Sequence, residues 1–123
     1  MAILLVIEDD AELANMMTLA LGKRGHQVYT AANGVEALYQ INAYQPELII
    51  LDLMMPLASG EAVLEHIRQR PDLRETRVLI VSALPTAHQL AERLGADGVL
   101  QKPVDMSTFL ARVEELLRQS EPE

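Results

Sequence analysis

The sequence holds no cysteine and no tryptophan, and only three Tyr and one Phe among its 123 residues. Without Cys there is no disulfide framework, no thiolate metal site and no cysteine nucleophile. Aromatics at 3% leave no platform for stacking bases. Ten basic residues against 18 acidic ones give a formal net charge of -8, the wrong sign for a direct nucleic-acid surface. No apolar run approaches the roughly 20 residues that span a bilayer, so no membrane partner is expected. Met1-Ala2-Ile3 enters a strand-like run without a basic leader, so no signal peptide is visible and a cytoplasmic location is the default.

What is present is half hydrophobic, enough for one packed domain. Short aliphatic runs alternate with stretches of helical periodicity. Ile3–Ile7, Gln27–Ala31, Leu48–Leu51, Val78–Val81 and Gly98–Gln101 read as strands. After the first come Leu13, Met17, Ala20 and Leu21 at helical spacing, closed by Gly25. Asn33 with Glu36, and Thr86 with Gln89, read as N-terminal caps, and Asp105 caps a last helix carrying Phe109, Val113 and Leu116. Met16 and Met17 are both expected in the core. Five strand–helix units in strict alternation predict an α/β fold, a parallel five-stranded sheet with helices on both faces. Residues 1–119 form the domain and 120–123 a frayed acidic tail.

Polar residues follow four of the five strands: Glu8 and Asp9, Asp52, Ser82, and Lys102. Strand ends on one edge of a parallel sheet converge, and that edge is where ligands bind in open α/β folds. Three carboxylates brought together either raise each other's pKa or require a cation. An all-oxygen set suits Mg²⁺ or a similar hard ion such as Mn²⁺. Asp10 is better read as the cap of the first helix, and a solvated loop acid competes for Glu8. Ser82 alone is an ordinary turn former and Lys102 alone a surface residue. Together they form ligands for the oxygens of a phosphorylated Asp52, and Ala83 is small enough to let a phosphoryl group approach. His26, His66 and His88 are scattered and expected to be unpaired.

With Val-Ile-Glu-Asp-Asp at 6–10, Asp-Leu-Met-Met-Pro at 52–56, Ser-Ala at 82–83, Gly-Ala-Asp-Gly at 95–98 and Lys-Pro at 102–103, the chain resembles the receiver domains of two-component response regulators. The resemblance implies the doubly wound strand order 2-1-3-4-5, an order for which a chemotaxis receiver is a standing example. It implies Asp52 as phosphoacceptor from a histidine kinase or phosphorelay protein. It implies Glu8, Asp9, Asp52 and the backbone carbonyl of Met54 as metal ligands, Ser82 as a switch hydroxyl, Lys102 as the phosphoryl-pairing lysine, and a cis Lys102–Pro103 bond. It implies a phosphoacceptor that assists its own phosphotransfer and dephosphorylation rather than a separate enzyme, acting through an output domain, a downstream protein or a homodimer across the fourth and fifth helices.

Two departures qualify this. Val99 stands where receivers usually carry an aromatic residue three before the lysine, so no aromatic rotamer switch is available. Met54 and Leu84, two residues after Asp52 and Ser82, are apolar and are expected to slow hydrolysis of the phosphoryl group. The competing readings are weaker. A phosphatase on this sheet wants an acid at position 54. A nucleotide- or flavin-binding domain wants a Gly-rich loop where the chain has acids. A degenerate receiver that only docks partners is the main alternative. No output domain follows the last helix, so the chain is read as a stand-alone receiver or a piece of a larger protein.

Overall fold

The computed structural model describes residues 2–55 and 57–119; the expected tail at 120–123 lies outside them. The elements alternate: β1 (Ile3–Ile7), α1 (Ala11–Lys23), β2 (Gln27–Ala31), α2 (Gly34–Tyr44), β3 (Leu48–Leu51), α3 (Gly60–Gln69), a 3₁₀ turn at Pro71–Leu73, β4 (Arg77–Ser82), α4 (Ala87–Leu94), β5 (Gly98–Gln101) and α5 (Met106–Gln119). All pairings are parallel in the order β2-β1-β3-β4-β5, as expected. β3 is central and buried at every residue, which is why its sequence is continuously aliphatic rather than alternating. The outer strands β2 and β5 are buried only in part.

Two apolar layers sandwich the sheet. Leu5, Ile7, Ile49 and Leu51 pack with Ile41 of α2 and Val63, Leu64 and Ile67 of α3 on one face. Leu4, Val6, Ile50 and Val81 pack with Met17 and Leu21 of α1 and Phe109 and Val113 of α5 on the other. Successive residues of one strand thus feed opposite layers. Among the described residues no helix is long and apolar enough to cross a membrane.

Most caps follow the sequence. The Asp10 carboxylate accepts the N–H groups of Glu12 and Leu13, Asn33 accepts that of Glu36, and Asp105 that of Thr108. Thr86 departs from expectation: its side chain makes no capping bond, because its own backbone (φ -94°, ψ 10°) is already turned toward the helix rather than extended. Met17 is buried but Met16 is exposed, since adjacent helix positions cannot both face the sheet. His26 is not unpaired. Its Nδ1 accepts the Ala2 N–H at 3.2 Å and its Nε2 lies 2.9 Å from Glu114 of α5. His66 has a buried Nε2 with no partner among the described residues, and His88 is exposed.

The loop from β3 to α3 is tightly seated. A Cβ on Gly60 would overlap the carbonyl oxygen of Asp52, and one on Gly34 would overlap that of Ala58. Leu57 (φ +53°) and Ala58 (φ +73°) are both left-handed without being glycine, at a cost of about 1–2 kcal/mol each. At the other end of the sheet, Arg68 of α3 donates to the carbonyls of Gly95 and Thr76 and to the Asp97 carboxylate, which also accepts the Val78 N–H. One guanidinium thus ties the ends of α3 and α4 to the starts of β4 and β5.

Gly60→Ala must push back the backbone of Asp52, the residue that follows β3. We expect a loss of about 1–3 kcal/mol in urea unfolding; wild-type stability would show that the close approach does not constrain the loop.

Candidate functional site

β1, β3, β4 and β5 deliver Glu8, Asp52, Ser82 and Lys102 to one rim of the sheet. Asp52 directly follows Leu51, whose strand neighbours are Ile7 and Ile80. The apolar register therefore carries a carboxylate to a place where it is only 4% exposed, beside Glu8 at 3%. Asp9 is exposed. One carboxylate oxygen from each of Glu8, Asp9 and Asp52 lies within 4.8 Å of the others.

The buried acids have fixed partners. Lys102 Nζ lies 2.9 Å from Glu8 Oε1 and 3.4 Å from Asp52 Oδ2. The Met54 N–H donates to Asp52 Oδ1 at 3.1 Å, and the Asp10 N–H to Glu8 Oε2 at 3.2 Å. Among the described residues the Asp9 carboxylate has no protein partner, so its oxygens are free for a ligand. Burial pushes the Glu8 pKa from 4.5 up to about 7; the Lys102 hydrogen bond opposes this and the Asp52 charge adds to it. For Lys102 burial acts downward, but it is outweighed by the Glu8 hydrogen bond and the Asp52 and Glu8 charges, so its pKa is raised. The lysine is therefore a stable cation inside the acid cluster.

The donor chemistry fits a hard divalent cation. All candidate ligands are oxygens, two of the carboxylates are nearly buried, and one ammonium cannot balance three acids. Ser82 is fully buried at the end of β4. Its Oγ accepts the Leu84 N–H at 3.1 Å, its carbonyl accepts the Lys102 N–H at 2.9 Å, and it makes no bond to Asp52 among the described residues. Ala83 is exposed beside it. Met54 is 57% exposed, whereas Leu84 and Val99 are half-buried in the apolar layer formed with α2, α3 and α4. The Lys102–Pro103 bond is cis.

The sequence reading missed that Lys102 binds Glu8 more closely than Asp52. Glu8 directly follows β1 and Lys102 directly follows β5, with β3 and β4 between those strands, so no local spacing signals the pair. It also missed the paired left-handed residues 57 and 58, which carry none of the glycine that usually announces such backbone.

Comparison with known proteins bears on the family and the fold. The family model "Response regulator receiver domain" matches residues 4–114. The chain is 34% identical over 122 residues to "Response regulator MprA" of Mycobacterium avium, covering 98% of this chain and 53% of that protein. It is 32% identical over 120 residues to "DNA-binding dual master transcriptional regulator RpaA" of Synechocystis, covering 96% of this chain and 50% of that protein. The chain thus spans about half the length of these curated relatives. Among solved structures, the Francisella response regulator 1452 receiver domain superposes with TM-score 0.89 at 29% identity, covering 98% of this chain and 100% of that one. The receiver domain of a histidine kinase from Syntrophus aciditrophicus gives TM-score 0.92 at 28% identity, covering 100% and 95%.

The Glu8 shift has a readable sign. Between pH 4.5 and about 7 the folded chain keeps a proton that the unfolded chain has lost. In chelator, this group's contribution to stability is therefore full below pH 4.5 and is lost as pH rises to about 7. Glu8→Gln should remove that part of the slope in melting temperature against pH; parallel profiles for the two proteins would contradict the assignment.

Proposed function

The chain belongs to the response regulator receiver domain family, and on that premise we propose that it is a phosphorylation switch with Asp52 as acceptor. Receiver domains of response regulators serve phosphorylation-dependent two-component signalling and are not generally enzymes in their own right. The observation that carries the assignment to Asp52 is the joining of this acid to Glu8, Asp9 and Lys102 at a single rim.

A carboxylate oxygen of Asp52 attacks phosphorus in line, a P–O bond forms, and the bond from phosphorus to the donor imidazole nitrogen of a histidine kinase or phosphorelay protein breaks. This chemistry needs positioning and charge neutralisation more than covalent help. The Met54 N–H fixes the rotation of the Asp52 carboxylate. Lys102 leaves its place between Asp52 and Glu8 to pair with the arriving phosphoryl oxygens. Mg²⁺ or Mn²⁺, held by Glu8, Asp9, Asp52 and the Met54 carbonyl, would supply charge neutralisation between carboxylate and phosphate. Ala83, small and exposed, leaves the approach open.

The new group carries about -1.5 to -2 charges. It recruits the Ser82 hydroxyl, which now accepts the Leu84 N–H and so already controls the loop after β4. That loop leads into α4, whose first turn lacks a side-chain cap. With Val99 packed in the apolar layer, movement of residues 83–86 rather than an aromatic side chain carries the signal to an output domain, a downstream protein or a second copy.

Incubation with phosphoramidate and Mg²⁺, read by intact mass, should add one phosphoryl group to wild type and none to Asp52→Asn. No adduct on wild type would favour the alternative, a receiver that only docks partners. Because the side chains of Met54 and Leu84 are apolar and cannot orient water by hydrogen bonds, the adduct should persist for many minutes; a lifetime of seconds would contradict that role.

A further inference from the structure

β2 closes one side of the sheet, and nothing in its sequence guards that edge. Gln27–Ala31 carries no acid, base or proline. β5, at the opposite edge, is framed by Asp97 and Lys102 and followed by Pro103. An unguarded edge is a template for another strand. Two bonds fix which way the β2 backbone faces. The Gln27 N–H donates to the Ala2 carbonyl at 2.9 Å, and the Ala31 carbonyl accepts the Glu8 N–H at 3.0 Å. Backbone groups alternate sides along a strand, so Gln27, Tyr29 and Ala31 address β1. Val28 and Thr30 therefore turn their N–H and C=O groups outward. Beside them, half-buried Tyr29 stacks on Tyr44, which is 40% exposed, with ring centroids 3.7 Å apart. Two of the chain's three tyrosines thus stand at this edge.

We propose that β2 pairs antiparallel with β2 of a second copy of this chain, joining two five-stranded sheets into one about a twofold axis at Tyr29. The register follows from the outward groups. With Tyr29 opposite its own counterpart, Val28 faces Thr30 of the second copy on both sides of the axis. Each such pair exchanges two N–H···O bonds, so every outward group of Val28 and Thr30 is used. The two Tyr29 residues then form a pair with no backbone bond between them, the kind whose side chains lie closer. Their rings meet across the axis with Tyr44 stacked on each. Charge selects this occupant. At -8 the chain repels its own kind over much of its surface, but β2 holds nothing that repels. Beyond the strand its two ends differ in sign. Exposed Lys23 and Arg24 precede it, and the cleft at its far end holds exposed Asp9 and Glu36 beside Thr30 and Ala31. Antiparallel pairing turns the basic end of each copy toward the acidic end of the other, twice about the axis. Parallel pairing would set like against like. None of this needs Asp52 to be the acceptor.

The contact is one strand and its ends, so the dimer should be weak, with a dissociation constant on the order of 10–100 µM. Sedimentation equilibrium of wild type up to ~1 mM should show a monomer–dimer equilibrium in that range. Thr30→Lys sets an ammonium on the edge, and Thr30→Pro removes an outward N–H without touching the bonds to β1. Each should raise the dissociation constant at least ~tenfold. A second measurement reads the register and does not depend on those variants folding. The chain has no cysteine, so Tyr29→Cys and Gln27→Cys each carry a single thiol. Diamide should join Tyr29→Cys into a covalent dimer, because position 29 lies opposite itself. It should leave Gln27→Cys monomeric, because position 27 lies opposite position 31. A wild type that stays monomeric up to ~1 mM overturns the proposal. So does a dimer that withstands Thr30→Lys, which would place the association on another face, or equal cross-linking at positions 27 and 29.

Discussion

Lys102 lies between two carboxylates that the fold has removed from water, and most of the rim depends on this contact. Glu8 and Asp52 stand at the ends of strands made almost wholly of Leu, Ile and Val. Their ionised forms would be costly there without a cation or hydrogen bonds. The ammonium, the Met54 N–H and the Asp10 N–H offset part of that cost, and the raised Glu8 pKa shows that the offset is incomplete. The site therefore carries standing negative charge, and its three carboxylates could hold a cation. On the proposed function, a single lysine that exchanges Glu8 for a phosphoryl oxygen would make this imbalance reversible rather than merely destabilising.

The imbalance is a product of topology. With the order β2-β1-β3-β4-β5, the chain turns outward in opposite directions from β1 and β3, and the acids of those adjacent strands meet where the order reverses. Lys102 arrives from the far edge strand, across the ends of β3 and β4. The same arrangement places Ser82 next along the rim, with its hydroxyl tied to the loop that leads away. The acid cluster and the loop tied to the Ser82 hydroxyl thus leave from neighbouring strands, β3 and β4.

Much of this was legible in the sequence, and the reason is physical. A strand buried on both faces must be continuously aliphatic, so Leu48–Leu51 announced β3 and made Asp52 conspicuous. Asp10 and Asn33 declared helix starts through chemistry confined to three residues. The misses involve partners distant in the chain or backbone without a residue signature. The His26–Glu114 pair spans 88 positions and the Glu8–Lys102 contact joins strands that are not neighbours. Thr86 has the composition of a cap, but its backbone angle takes that role away. Leu57 and Ala58 look like ordinary loop residues because nothing in their side chains encodes a positive φ.

The helix after Ser82 shows how a small event at the rim can become directional. At its far end α4 is anchored: Arg68 donates to the Gly95 carbonyl and to Asp97, and Asp97 in turn receives the Val78 N–H and lies beside Arg77. All are charge-assisted, the strong kind; those at Asp97 are shielded from solvent in part, whereas the bond to the Gly95 carbonyl is exposed. The surface pair Arg93–Glu61 adds little, being exposed. At its near end α4 has no side-chain cap and follows a loop whose tie to β4 includes the single bond from the Leu84 N–H to Ser82. A helix fixed at one end and lightly held at the other yields first at the light end. That end is the one nearest the Asp52 rim, so on the proposed function displacement would need no aromatic lever at Val99: the unequal strength of two sets of hydrogen bonds favours movement there.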